Sequence, residues 1–384
     1  MKNKYLSFLL IILNINLFLS KQLNLRNTAS CPNYSFSPTK DNVKIIGRYY
    51  QKKDITWIVY SGSAVEFYAS GNFVEILLVG DENIYQEQDQ RPRYGIYLDD
   101  KLLLDTKMNE LEFSIQFKIS NDESEKSKIK IMLLSENQNG GVGIKHIKIN
   151  SCSEKEVKIL PTEKKKLSIE FIGDSITCAY GVEAPDETYH FTTSTENFSK
   201  SYAYLAAKIL DADYSAVCLS GHGIVSGYST GDKWAEGLMP LYYEKISRNT
   251  QYPGDWDFEK NKYDIVFINL GTNDANYVNA DRDERKDEFV EEFANFLETV
   301  RDKNPDAYII CTLGTLNPKD MYTLVKEGVK LFGGKKISVF ESPVQDMDED
   351  GLGADWHPSK KTHEKLAKLV AEKISEILDS KKIN

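Results

Sequence analysis

The chain has 384 residues, 41% of them hydrophobic and 11% aromatic, a composition that argues against a disordered protein and allows two domains. Its 58 acidic residues against 48 Lys and Arg leave a formal net charge of −10, which counts against a nucleic-acid or anionic-membrane partner, since both reward a basic face. Five cysteines without a CxxC spacing count against a zinc site.

Residues 1–20 place Lys2 and Lys4 ahead of an apolar run over 5–19, interrupted by two asparagines. The pattern predicts a secretory signal cleaved near Ser20, which puts the mature protein outside the cell and off the membrane; an uncleaved anchor is the alternative. Residues 21–40 are polar and read as a flexible lead-in. Over 41–152 the pattern is all β. Eight short β-rich runs, at 43–50, 55–60, 64–69, 73–79, 94–98, 111–119, 128–134 and 142–149, are separated by turn residues and predict a jelly-roll sandwich. Cys31 and Cys152 flank this stretch and can pair to close it in an oxidising compartment. Cys178, Cys218 and Cys311 fit buried small hydrophobes. Residues 153–166, charged and carrying Pro161, read as a linker.

From 167 to 384 the period changes to alternating strands and helices, which predicts a three-layer α/β domain on a mostly parallel sheet. Strands are expected at 167–172, 214–219, 263–270, 308–313 and 337–340, and helices at 201–210, 288–303, 321–330 and 362–378. The first strand is dominated by apolar residues, with Glu170 its one charged interruption, and stops at Gly173-Asp174-Ser175. Two further strands end in Ser220-Gly221-His222-Gly223 and Gly271-Thr272-Asn273-Asp274, and Asp355-Trp356-His357-Pro358 precedes the closing helix. Carboxyl ends of strands in such a sheet gather at one crevice. A serine hydroxyl needs a base, and histidine suits the task; a tetrahedral oxyanion needs preset donors. Ser175 is thus the candidate nucleophile and His357 the base. The Ser175 and Gly221 N–H groups with the Asn273 amide form the candidate oxyanion hole.

Together these four blocks resemble the SGNH (GDSL-like) hydrolase family over roughly residues 167–378, which implies a flavodoxin-like sheet. With the β-rich front added, the chain is similar to carbohydrate esterase family 2. That resemblance implies a secreted acetylesterase on plant-wall polysaccharide (xylan or glucomannan), without cofactor or metal, with acetylated poly- or oligosaccharide as its partner. The chain is expected to be a monomer. Many family members carry an aspartate three residues before the histidine, where this chain has Ala354. The expectation is therefore a Ser175–His357 dyad steadied by a backbone carbonyl, with Asp355 as a possible third member. Trp356, Asp274 and His222 are candidate substrate contacts. The alternatives are another SGNH esterase, lipase or thioesterase, or a glycan-binding protein with a vestigial site.

Overall fold

The computed structural model describes residues 31–382 except 121, 123, 154, 155, 317 and 319, so the expected signal and residues 21–30 lie outside the described residues. Among the described residues, the front of the chain forms twelve strands: β1 (Asn33–Phe36), β2 (Lys44–Ile46), β3 (Tyr49–Lys52), β4 (Ile55–Ile58), β5 (Ala64–Ala69), β6 (Phe73–Gly80), β7 (Arg93–Leu98), β8 (Lys101–Lys107), β9 (Glu112–Lys118), β10 (Ser127–Leu133), β11 (Val142–Asn150) and β12 (Ile159–Pro161). They make two antiparallel sheets. One runs β3-β4-β11-β6-β9 with β1 also on β11; the other runs β12-β5-β10-β7-β8 with β2 also on β5. Alternation sets the core: Val74, Ile76 and Leu78 of β6 point inward and meet the layer of Val65, Phe67, Ile129 and Ile131.

The structure corrects four expectations here. The lead-in does not extend to residue 40, because β1 pairs with β11 and Cys31 is bonded to Cys152, which joins the first described residues to the sandwich. The linker over 153–166 is partly strand, since β12 pairs antiparallel with β5. The run over 43–50 breaks into β2 and β3, which enter opposite sheets. Gly47, at φ +73°, makes the break in a conformation that other residues resist. Finally, β8 went unpredicted because its three consecutive leucines do not alternate.

The second half is built on β13 (Leu167–Gly173), β14 (Ala212–Cys218), β15 (Ile265–Asn269), β16 (Tyr308–Leu313) and β17 (Ile337–Glu341). All pair in parallel in the order β14-β13-β15-β16-β17. Counted within the domain this is 2-1-3-4-5, the flavodoxin-like order. One face packs Ile172, Val217 and Ile268 on Phe289, Phe293 and Val325, from helices Arg282–Lys303 and Met321–Phe332. The other packs Ile169, Phe171 and Phe267 on Ala203, Ala206, Val370 and Ile374, from helices Tyr202–Ile209 and Lys360–Lys382. Helix Arg282–Lys303 starts six residues before the predicted start, because its first turn is charged and shows no apolar period; Asp283 and Glu284 there suit the positive end of the helix dipole.

The two halves share a core. Trp57, Val59 and Tyr60 of the sandwich pack in the same apolar cluster as Ile172 and Val217. Glu170, the one charged residue of its strand, has its explanation at this seam: Arg48 of the sandwich, fully buried, reaches its carboxylate at 3.3 Å. Tyr243 Oη donates to the other Glu170 oxygen at 3.0 Å. Arg48 also donates to the Tyr243 and Lys245 carbonyls. Burial raises the Glu170 carboxyl, and Arg48 opposes that rise.

Removing one member of a buried ion pair strands the other. Arg48→Leu is expected to lower the unfolding free energy by about 3–5 kcal/mol in urea denaturation, and adding Glu170→Leu is expected to recover part of the loss. An Arg48→Leu protein as stable as wild type would show that the pair contributes nothing.

Candidate active site

The site lies at the carboxyl ends of β13, β14 and β15, beside the point where strand order reverses. Gly173 closes β13 where an added Cβ would collide with Thr177. Asp174 then caps the short helix Ser175–Cys178 by accepting the Ile176 N–H at 3.0 Å, which puts Ser175 on the first helical turn. Ser175 Oγ–H donates to His357 Nε2 at 2.8 Å. The other ring nitrogen, Nδ1, lies 3.1 Å from the Asp355 carbonyl and 3.2 Å from the Ala354 carbonyl. Carbonyls only accept, so Nδ1 carries the proton and Nε2 presents its lone pair to the serine. Burial holds the His357 imidazole below its ordinary value, against the two carbonyls.

The carboxylate of Asp355 does not orient His357, which corrects its candidacy as third member through the side chain. It accepts from Tyr180 Oη at 2.8 Å, His190 Nδ1 at 2.7 Å and the Phe191 N–H at 3.2 Å. Burial pushes this carboxyl up, but the His190 and Tyr180 bonds prevail and hold it below the usual range. Its backbone explains the direction: Asp355 and Trp356 have φ 49° and 60°, left-handed values that a non-glycine residue adopts only where its surroundings hold it. The turn is held by the Asp355 N–H on the Tyr189 carbonyl at 3.0 Å and the Ala354 N–H on the Gly181 carbonyl at 3.1 Å. Tyr180 also stacks on the His357 ring, centroids 4.1 Å apart. Tyr180 and His190 escaped the sequence reading; Tyr180 stands five residues after Ser175, but nothing in that spacing signals a stacking partner.

Gly221 follows β14 at φ +76°, and a Cβ there would approach nothing nearer than Trp234 at 3.5 Å, so backbone conformation rather than space asks for glycine. Among the described residues, the backbone N–H groups of Ser175 and Gly221 find no protein acceptor. Asn273 is buried at the end of β15, its amide on the His222 carbonyl at 2.9 Å and on Asp174 at 3.3 Å. Burial raises the Asp174 carboxyl to about 7, with Asp274 adding to the rise.

Two candidate substrate contacts are braces instead. Asp274 is fully buried and accepts the N–H groups of Ile224, Val225 and Ser226 at 2.7–3.0 Å, holding the loop after Gly221. Burial lifts its carboxyl to about 6. His222 is equally buried, with Nδ1 on the Ser220 carbonyl at 2.9 Å and Nε2 accepting from Arg248 at 3.0 Å. Burial draws it down to about 4, and with no exposed surface it is not a substrate contact. His363 is also buried, and its Nδ1 accepts the Tyr202 N–H. Trp356 is 60% exposed next to His357. Among the described residues, Glu136, Cys178 and Glu196 bring three ligand-type atoms within 4.8 Å of one another, but Glu136 and Glu196 each already accept a backbone N–H there.

Residues 171–332 match the model of the GDSL-like lipase/acylhydrolase family. The chain carries a GDSL-like acylhydrolase domain. This domain is similar to the cellulase/esterase CelE of Acetivibrio thermocellus, 38% identical over 221 residues, which are 55% of this chain and 25% of CelE. An acetylxylan esterase / glucomannan deacetylase of Cellvibrio japonicus is 26% identical over 257 residues, 66% of this chain and 67% of that protein. The chain thus spans about a quarter of CelE and two thirds of the Cellvibrio protein. A family two carbohydrate esterase from Clostridium thermocellum, solved in complex with cellohexaose, superposes with a TM-score of 0.74 at 28% identity, over 88% of this chain and 99% of that one. The likeness therefore extends across the sandwich as well as the acylhydrolase domain.

Two outcomes are expected for ester turnover. Asp355→Ala leaves the carbonyl on His357 but loosens the turn, so kcat should fall about tenfold to a hundredfold, far short of the ~10⁴-fold loss of a true triad acid. The lowered His357 value means the base stays neutral into mild acid, so the acid limb of kcat/KM should have its midpoint below the ordinary 6.5 of histidine. A midpoint at 7 or above would show that a carboxylate raises the imidazole.

Proposed function

We propose that this chain is a secreted serine esterase that removes O-acetyl groups from plant-wall polysaccharide with a Ser175–His357 dyad. The observation that carries this reading is the 2.8 Å Ser175–His357 bond, with Nδ1 turned to carbonyls. Ser175 Oγ attacks the acetyl carbonyl carbon while Nε2 takes its proton. The carbonyl oxygen becomes an oxyanion facing the Ser175 and Gly221 N–H groups, and the Asn273 amide joins them by exchanging its 3.3 Å bond to Asp174. Collapse expels the sugar oxygen, which takes the proton back from Nε2. Water, deprotonated by Nε2, then attacks the acetyl-serine and releases acetate and the free serine.

The substrate class rests on the relatives named as acetylxylan esterase / glucomannan deacetylase and on the family two esterase that holds cellohexaose. Exposed Trp356 beside the base supports it, since an indole face stacks on a sugar ring. The orders β4-β11-β6-β9 and β5-β10-β7-β8 support a jelly-roll reading of the sandwich, as from β4 to β11 each strand enters the opposite sheet from the one before it, except at the β7–β8 hairpin. Secretion is supported by the signal-like first twenty residues and by the Cys31–Cys152 bond. In this reading the mature protein works as a monomer away from the membrane.

Acetate release from acetylated xylan and from acetylated glucomannan tests the proposal. The wild type should release acetate, the ratio of the two rates naming the preferred backbone, and Ser175→Ala should lose at least ~10³-fold while keeping its fold. A folded wild type inactive on both polymers would move the reading to another acyl substrate or to glycan binding.

A further inference from the structure

The oxyanion-hole glycine is held from outside its own domain. The loop between β10 and β11 inserts Glu136 and Asn137 of the sandwich, both fully buried, against the loops of the acylhydrolase domain. Glu136 Oε2 accepts the N–H of Ser220, the residue before Gly221, at 2.9 Å. Asn137 Oδ1 accepts the N–H groups of Arg248 and Asn249 at 3.1 and 3.2 Å, and Arg248 Nε donates to the ring of His222, the residue after Gly221. The His222 carbonyl in turn receives the Asn273 amide. Both chain neighbours of Gly221 are thus tied to two consecutive sandwich residues, and the Asn273 amide, the third candidate oxyanion donor, hangs on the same chain of bonds. Gly221 itself has no side chain to hold it. Glu136 is fixed at its own end, since its N–H donates to Glu196 Oε2 at 3.0 Å and the Glu196 carbonyl receives Arg93 of the sandwich at 2.9 Å.

We infer that Glu136 and Asn137 are positioning residues that aim the Gly221 N–H at the developing oxyanion, so that the sandwich completes the active site. The inference rests on the serine-esterase reading. A buried acceptor aligned with the Ser220 N–H fixes the peptide that precedes Gly221, and the Arg248–His222 bond fixes the residue after it. An oxyanion donor acts through its aim in the transition state, so losing either tie should lower kcat and leave KM in place.

The test uses the full chain with Glu136→Leu, Glu136→Gln and Asn137→Ala. Readouts are kcat and KM on 4-nitrophenyl acetate, the rate at which a fluorophosphonate labels Ser175, and thermal unfolding. Glu136→Leu, which keeps volume but no acceptor, should lower kcat and the labelling rate about tenfold to a hundredfold with KM within about twofold. Glu136→Gln keeps an acceptor for the Ser220 N–H and should stay within about threefold of wild type. A folded Glu136→Leu protein with wild-type kcat overturns the inference, as does Glu136→Gln falling as far as Glu136→Leu. Should Glu136→Leu fail to fold, Asn137→Ala decides: about fivefold lower kcat at constant KM supports the inference, and unchanged kcat overturns it. A wild type that is labelled at Ser175 yet leaves the acetate ester untouched would sink the esterase reading alone, and the labelling rates of the variants would then decide the inference. A folded wild type that neither turns over the ester nor reacts at Ser175 overturns both.

Discussion

The hydrogen bond from Ser175 to His357 joins residues 182 positions apart, and it forms only because both ends are held without freedom. Ser175 is presented by a strand that must end in glycine and by a one-turn helix capped by Asp174. His357 is presented by a left-handed turn at Asp355 and Trp356 that points two carbonyls at Nδ1. The tautomer follows from those carbonyls, and the direction of proton transfer follows from the tautomer. The stack of Tyr180 on the imidazole and the Tyr180–Asp355 bond tie the two presentations together, since Tyr180 belongs to the serine's segment and Asp355 to the histidine's.

The seam between the two halves obeys a second constraint, that buried polar groups must find partners. Arg48 meets Glu170 in the central strand, and Glu136 and Asn137 meet the backbone of the loops around Gly221. Each of these is a sandwich side chain satisfying a group of the acylhydrolase domain. The sheet ends that carry the site therefore rest on a rigid β wall rather than on solvent, and apolar packing of Trp57, Val59 and Tyr60 excludes water from the same seam.

Much of this was legible in the sequence wherever one local rule decided the outcome. The five parallel strands read out as apolar runs; Ser175, Gly221 and Asn273 follow strand ends, and His357 precedes the closing helix, places that motif and chemistry both mark. The Cys31–Cys152 pair was marked by position. What escaped depends on contacts between distant segments. The pairings of β1 with β11 and of β12 with β5 are tertiary events that polar, proline-bearing stretches do not advertise. The side chain of Asp355 turns from His357 because of a φ of 49°, which no spacing rule encodes. Asp274 and His222 looked like cleft residues because they neighbour site residues, yet burial makes them braces of the loops that carry Asn273 and Gly221. Glu136 lies in the other domain and shares no spacing with the motif it supports.

That two carbonyls, and no carboxylate among the described residues, meet His357 Nδ1 has a chemical logic in the proposed reaction. A carboxylate would stabilise the imidazolium and raise its pKa; two carbonyl dipoles stabilise it less. The resulting imidazole is a weaker base but its imidazolium is a stronger acid. Deacetylation of a sugar expels an alkoxide, a poor leaving group that must be protonated as it departs. Brønsted behaviour makes that second transfer easier when the donor is more acidic, at the expense of the first. The first transfer is then left more dependent on the oxyanion donors, whose charge stabilisation drives attack of the serine before much proton has moved. A weakly stabilised imidazolium and a firmly held oxyanion loop are in this sense one design. The carbonyls at Nδ1 shift the burden of the barrier toward Gly221 and Asn273, and the buried bonds that reach Ser220 and His222 from the sandwich hold the place where that burden falls.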